Sequence, residues 1–232
     1  MILTPEEWSI VSLSLRVAVL ATLLCLPAGI ALAWLLARKD FWGKSIVNSL
    51  VHLPLVLPPV VTGYLLLLTF GKNGAVGRFL FDYLNFTFAF RWTGAALAAG
   101  LMALPLMVRA IRLSMESIDQ NVLDATANMG ASHLQTLIHV ILPLASPGIA
   151  VGIILTFIKA LGEFGATITF VSSIPNETQT LSLAIHSLLQ TPDGDPAAWR
   201  LILISLALAS GALLISELIE KKLLQWIKPP RN

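Results

Sequence analysis

Long uncharged stretches alternate with short polar ones along this chain. Val17 to Ala37 carries no charge, and neither does Ser45 to Gly71. Trp92 to Val108 is a shorter uncharged run that ends at Arg109 and Arg112. Val140 to Ile158 is uncharged, and apolar sequence continues past Lys159 and Glu163 to Val171. Leu201 to Ser216 is uncharged, and apolar sequence continues to Ile219. A membrane-crossing helix needs about 20 apolar residues. The pattern therefore predicts five spans, near 10–37, 46–70, 93–113, 147–171 and 200–220. The expected fold class is all-α, a single polytopic transmembrane helix bundle over 1–232 with one long patterned connection over 114–146.

Composition points the same way. Hydrophobic residues make up 56% of the 232 residues and charged residues 12%, against about 45–50% and about 25% in ordinary soluble domains. The mean hydropathy is +0.81. Such a chain cannot cover its surface with polar groups, which excludes a water-soluble globule and disorder alike, and makes membrane lipid its surroundings. The net charge of +2 is too small to suggest a nucleic-acid partner. The single cysteine, Cys25, allows neither a disulfide framework nor a cysteine zinc site. Trp8, Trp92 and Trp199 precede spans one, three and five, Trp34 and Trp42 close span one, and Trp226 follows span five. Indole rings favour the headgroup region.

Charge sets the orientation. Arg38, Lys39, Lys44, Arg109, Arg112, Lys221, Lys222, Lys228 and Arg231 flank one side, and Lys72, Arg78, Arg91 and Arg200 the other. The richer side is expected to be cytoplasmic, which puts the N-terminus outside and the C-terminus inside. Ala31-Leu32-Ala33 resembles a signal-peptidase site, but Glu6 and Glu7 replace a basic leader and the apolar run is too long, so span one is expected to stay uncleaved. Pro54, Pro58 and Pro59 should kink or break span two. Both a tolerated distortion and a discontinuity beside a permeation path fit that feature.

The connection from Ser114 to Ser146 is patterned. Ser117 or Asp119 can cap a short helix read over Asn121 to Met129, Gly130 breaks it, and Ser132 to Gln135 has capping-box spacing. A second helix follows, with Leu134, Leu137, Ile138 and Ile141 expected on one face. Pro143 and Pro147 mark the entry to span four. From Met115 to Ser146 there is no Lys or Arg, whereas Glu116, Asp119 and Asp124 are present. This acidic face is either simply solvated or matched to basic residues on a partner.

Here the residues resemble a known pattern. Asp124-Ala125-Thr126, three residues, Gly130, nine residues and Val140-Ile141-Leu142-Pro143 follow the spacing of the cytoplasmic Glu-Ala-Ala motif of binding-protein-dependent ABC importer permeases. Asp124 stands for Glu, Thr126 for Ala and Val140 for Ile. The segments Leu53 to Tyr64 and Gly162 to Val171 are similar to molybdate importer permeases, and the likeness runs over nearly the whole chain. Sulfate permeases are similar around Gly162-Glu163-Phe164-Gly165 but usually carry an additional N-terminal span.

The resemblance implies a type I ABC importer permease in the bacterial inner membrane. It implies a homodimer of permeases over two ATPase subunits, fed by a periplasmic molybdate-binding protein. ATP and Mg would be used by the partner ATPase, with no cofactor bound by this chain, which has no Gly-x-x-x-x-Gly-Lys-Ser/Thr phosphate loop. Tungstate and sulfate are the alternative substrates, and a channel without an ATPase is the rival class. The resemblance implies ATPase-coupling residues at Asp124, Ala125, Thr126, Gly130, Val140, Leu142 and Pro143.

Other candidates come from the residues themselves. His52, His133, His139 and His186 are scattered, with no metal-ligand spacing. Lys159 and Glu163 are four residues apart and should share a helix face near the bilayer middle, either neutralising each other or lining the pathway. Thr156, Thr167 and Thr169 are possible donors to a tetrahedral dianion. Gly148 and Gly152 form a Gly-x-x-x-Gly, open to dimer contact, to pathway lining or to packing within one subunit.

Overall fold

The computed structural model describes residues 4–192 and 194–227, and among them every regular element is helical. The helices are α1 (Pro5–Arg38), α2 (Lys44–Val56), α3 (Pro59–Phe70), α4 (Ala75–Leu84), α5 (Trp92–Glu116) and α6 (Gln120–Asn128). A short α7 (His133–Thr136) runs through a π-helical turn at Leu137–Ile141 into α8 (Leu142–Leu144). Then come α9 (Ser146–Leu161), α10 (Gly165–Val171), α11 (Leu181–Leu189) and α12 (Asp195–Ile227). Lys228, Arg231 and Asn232 lie outside the described residues, as do the side chains of Lys221, Lys222 and Trp226.

The centre of the bundle is α5, with α1 and α9 packed along it. Its facing positions are small: Ala95, Ala96, Ala98, Ala99 and Ala103 are fully buried. Small residues let helix backbones approach closely where hydrophobicity gives no preference for protein over lipid. Helix α1 runs parallel to α5. The Cys25 thiol donates to the Gly100 carbonyl (3.1 Å), and Arg38 reaches the Met115 carbonyl at the far end. Helix α9 runs antiparallel. A Cβ on Gly148 would lie 2.3 Å from Ser114 Cβ, and one on Gly152 would lie 3.3 Å from the Met107 carbonyl oxygen. The Gly-x-x-x-Gly thus packs within one subunit, which removes it as dimer or pathway lining.

Two predicted spans are not single helices. Span two breaks at Leu57-Pro58, where α2 and α3 turn by 113°. Pro58 and Pro59 lack N–H groups, so the helical ladder cannot cross them. Span four, read as one helix over 147–171, breaks at Gly162-Glu163-Phe164, because Gly162 ends α9 and Phe164 (φ −131°) leaves helical space before α10. Each broken pair nevertheless touches α5 or the residues just before it through both of its helices. Asn48 of α2 accepts from Arg112 (2.9 Å), and Phe70 of α3 packs edge-on to Phe88 (5.7 Å between ring centroids) just before α5 begins. Gly148 of α9 meets Ser114, and Val171 of α10 meets Gly94. By length and composition, α1, α5 and α12 could each cross a membrane. Two bent pairs, α2 with α3 (113°) and His133–Leu144 with α9 (70°), are long and apolar enough together to count as broken spans or re-entrant loops, which gives up to five spans.

Two helices outside the predicted spans close one end of the bundle. Helix α11 buries Leu181, Leu183 and Ala184 against α1 and α12. Helix α4 buries only Gly77. Glu7 in the first turn of α1 holds Arg200 of α12 at 2.7 Å, and Ser14 accepts from the Leu181 N–H at 2.7 Å. These ties join residues 167 to 193 apart in sequence.

Candidate functional site

At one end of the bundle, residues 117–145 form a hairpin. Asp119 caps α6 by accepting from the Asn121 N–H (2.9 Å), so of the two candidate caps it is Asp119 that acts. Gly130 turns the chain at φ +77°, a left-handed conformation that costs a β-branched residue strain. Ser132 and Gln135 then form the reciprocal capping box, with bonds of 2.8 and 3.3 Å. Thr126 Oγ1 donates to Leu123 O (2.7 Å) and lies 3.4 Å from Thr136 Oγ1, joining the two arms.

The second arm departs from expectation. A regular helix would have placed Leu134, Leu137, Ile138 and Ile141 on one face. Instead the turn widens at Leu137–Ile141, where the Leu142 N–H bonds to the Leu137 carbonyl. Pro143 explains this: it cannot donate to the His139 carbonyl, and its ring crowds that oxygen. Only Ile141 is buried. Leu134 is 64% exposed, Ile138 48% and Met129 86%, while α6 buries none of its residues. The hairpin therefore presents uncovered apolar side chains away from the bundle.

Asp124 and Ala125 are exposed on α6, Thr126 is half-buried, and Gly130 forms the tip. Val140 and Leu142 are half-buried, and Pro143 is exposed where the hairpin returns to the bundle. Asp124 accepts from Gln120 (3.0 Å), and Glu116 pairs with Arg112 (2.7 Å). A cavity of about 280 Å³ separates the hairpin from the end of α1, with Trp34, Arg38 and Lys39 on one wall and Leu123, Asp124 and His133 on the other. Beyond it, Lys44 hydrogen-bonds and attracts Asp40 (2.9 Å), holding that carboxyl below the usual range.

The second candidate region is the pair of helix breaks, which face each other. A Cβ on Gly165 would lie 2.7 Å from Pro59 Cβ, and one on Gly63 would lie 2.5 Å from the Ala166 carbonyl. Lys159 and Glu163 do pair, at 2.9 Å, although Glu163 lies past the end of α9. Its carboxylate is almost fully buried. One oxygen accepts from Lys159 and the other from the Ala166 N–H (3.0 Å) at the start of α10. Both acceptors are satisfied, which is what makes a buried carboxylate tolerable. Lys159 keeps 35% of its side chain exposed, so it is the accessible member.

The threonines fare differently from their expected role. Thr167 is buried and donates to the Phe164 carbonyl (2.8 Å), and Thr169 donates to the Gly165 carbonyl (3.0 Å). Their hydroxyl protons are used within α10 itself. Thr156 is fully buried between helices and has no partner among the described residues. Among the described residues there is no group of three or more His, Cys, Asp or Glu side chains that could hold a metal. His186 instead packs its ring on Phe164, 4.7 Å between centroids.

Sequence reasoning missed three contacts that brace these sites: Arg38 on the end of α5, Glu7 with Arg200, and the second bond of Glu163. The first two depend on tertiary approach and leave no local signal. The third had one, since a carboxylate three residues before the N–H it caps has the spacing of an N-terminal cap.

Comparison with known proteins places this geometry. The family model described as "Binding-protein-dependent transport system inner membrane component" matches residues 26–225. The "Molybdenum transport system permease protein ModB" of Escherichia coli (strain K12) is 54% identical over 217 residues, covering 94% of this chain and 95% of that one. The protein of the same name from Haemophilus influenzae is 49% identical over the same shares. Among solved structures, a bacterial ABC transporter involved in import of the acidic polysaccharide alginate aligns over 95% of this chain and 80% of its own. Its TM-score is 0.73 at 18% identity, a likeness of fold.

Proposed function

The chain belongs to the family of binding-protein-dependent transport system inner membrane components, and we propose that it is the permease subunit of an ATP-driven importer of molybdate. One observation carries the reading. The segment with the family's coupling spacing is a capped hairpin standing off the bundle with Met129, Leu134 and Ile138 uncovered. The molybdenum-transport relatives, 54% and 49% identical along nearly the full chain, supply the substrate.

In this reading two copies of the chain sit over two ATPase subunits that bind ATP and Mg, and a periplasmic molybdate-binding protein delivers the anion. Asp124, Ala125, Thr126 and Gly130 dock on the ATPase, and Val140, Leu142 and Pro143 pass its movement to α9. Such helical elements couple distant sites when they have two discrete arrangements. The breaks at 57–59 and 162–164 lie along the translocation path, with Lys159 its cationic member and Glu163 fixing Lys159. Broken helices are tolerated in membranes where they are buried in protein or line a cavity. The Thr167 and Thr169 hydroxyls keep α10 rigid beside that path and have lone pairs, but no free proton, to offer an anion. The five-span topology has the N-terminus periplasmic and the C-terminus cytoplasmic.

The test is co-purification with an ATPase subunit, followed by ATP hydrolysis in vesicles with and without the binding protein. Stimulation by molybdate-loaded binding protein is expected. A complex that neither holds an ATPase nor responds to binding protein would overturn the reading, and stronger competition by sulfate than by tungstate would reassign the substrate. Cysteines at Thr4 should label from the periplasm, and those at Ser132 only from the cytoplasm. The opposite pattern would reverse the orientation.

A further inference from the structure

Helix α5 ends at Glu116; the Leu113 carbonyl accepts from the Ser117 N–H (3.1 Å) and the Met115 carbonyl from the Ile118 N–H (3.3 Å), which leaves the Met115 oxygen a second lone pair. No basic residue lies in its own last turn. The positive charge that suits a helix C-terminus comes instead from α1. The Arg38 guanidinium donates through Nη2 to the Met115 carbonyl and to the Ile118 carbonyl (3.3 Å). Met115 is the penultimate residue of α5, and Ile118 is the residue before the Asp119 cap of α6. The guanidinium thus spans the joint at which the hairpin leaves the bundle.

The other ties at that joint are apolar: Ile118 and Leu123 pack on the cluster that contains Leu36 and Met115. Helix α6 buries no residue, Ile118 and Leu123 are only partly buried, and the cavity of about 280 Å³ lies between the hairpin and α1. Arg38 lines that cavity, and its Nε is buried without a partner among the described residues. Behind it, Leu36, Ile111 and Met115 are fully buried in one cluster, so the end of α1 is fixed to α5.

We propose that Arg38 is a positioning residue of the transport cycle: it ties the end of α1 to the hinge of the coupling hairpin, so that hairpin displacement moves α1 together with α5. This rests on the reading of the hairpin as the ATPase-coupling segment. Without the tie, the open cavity lets the hairpin move while α1 stays behind.

The experiment uses the full complex in vesicles and compares substrate imported per ATP hydrolysed. Arg38→Met keeps the aliphatic stem and removes the donors. The ratio is expected to fall about tenfold while stimulated ATP hydrolysis stays within about threefold, the scale of losing charge-assisted hydrogen bonds. Arg38→Lys should restore part of the ratio, because an ammonium can still reach one carbonyl. A wild-type ratio in Arg38→Met overturns the inference alone. A wild-type complex without an ATPase overturns it together with the functional reading. Spin labels at Lys39→Cys and Gln120→Cys, in a chain that keeps Arg38, give a readout that does not depend on how Arg38→Met folds; Cys25 is buried. Their separation should be the same in nucleotide-free and ATP-trapped states. A change of about one helical turn, ~5 Å, would show the hairpin moving independently of α1 and overturn the tie.

Discussion

Helices α5 and α6 are neighbours in sequence and end in opposite surroundings. Helix α5 is the least hydropathic of the three helices long enough to cross a membrane, yet it is the most buried of them, whereas no residue of α6 is buried. The difference lies in residue size. Alanine and glycine lower hydropathy and let α1 and α9 approach closely, so the least hydropathic of the three long helices is the central one. In the hairpin, Met129, Leu134 and Ile138 stand largely uncovered among the described residues. Damage to α5 should therefore appear as lost protein, and damage to the hairpin as lost work.

The sharpest break in that contrast is Gly148→Leu. Its Cβ would meet Ser114 Cβ at 2.3 Å and the Ala110 carbonyl at 2.8 Å, and a carbonyl cannot retreat without moving α5. Overpacking of this kind costs roughly 1–3 kcal/mol or more, and here it falls on the central helix. Membrane levels measured by immunoblot should drop at least about tenfold on that cost. Normal levels would mean that α9 does not pack on α5 through this face.

The helix break tests whether an intermediate case exists. Lys159→Met leaves the Glu163 carboxylate buried with only the Ala166 N–H, at a cost of about 3 kcal/mol before discounting for the exposure of Lys159. Levels should fall, and Lys159→Met with Glu163→Gln should restore them. Uptake then decides the role of the pair. Full uptake by the double variant makes it structural, whereas normal levels with poor uptake place Lys159 in the path.

Gly130→Val acts at the hairpin tip, where a Cβ would meet nothing within 4 Å. The cost is backbone strain alone, about 1–3 kcal/mol, in a segment that the bundle does not need. Levels should hold while vesicle uptake falls sharply. Equal loss of level and uptake would put the hairpin on the same footing as α5.

What could be read beforehand follows the same division. The Asp119 cap, the Ser132–Gln135 box and the Gly130 turn are local, so their residues announce them. The break at Pro58 is written in missing N–H groups. The break at Gly162 to Phe164 is weaker in sequence, because it depends on Glu163 capping Ala166. The widened turn at Leu137–Ile141 follows from Pro143, but its effect on the exposure of Leu134 and Ile138 needed the three-dimensional path. The candidate threonines show the limit most clearly. Residue type advertised a donor, and only geometry showed the donors of Thr167 and Thr169 bonded back to their own helix.

The smallest expected effect isolates the docking role of the hairpin. Asp124 is exposed, and its contact in the chain is with Gln120 four residues earlier on the same helix. A surface contact of this kind contributes at most about 1 kcal/mol to folding, so Asp124→Arg should leave membrane levels unchanged. Any loss must then come from outside the chain. With no Lys or Arg from Met115 to Ser146, reversing the sign at Asp124 changes the charge this surface shows an ATPase, whereas Asp124→Glu preserves it. Association with the ATPase, measured by retention of the complex, should weaken by roughly three- to tenfold for Asp124→Arg and little for Asp124→Glu. The deficit should shrink as salt screens exposed charges beyond a Debye length of about 10 Å at 0.1 M. A deficit independent of salt would point to shape rather than charge, and equal retention by both variants would leave the acidic face a solvated surface with no part in docking.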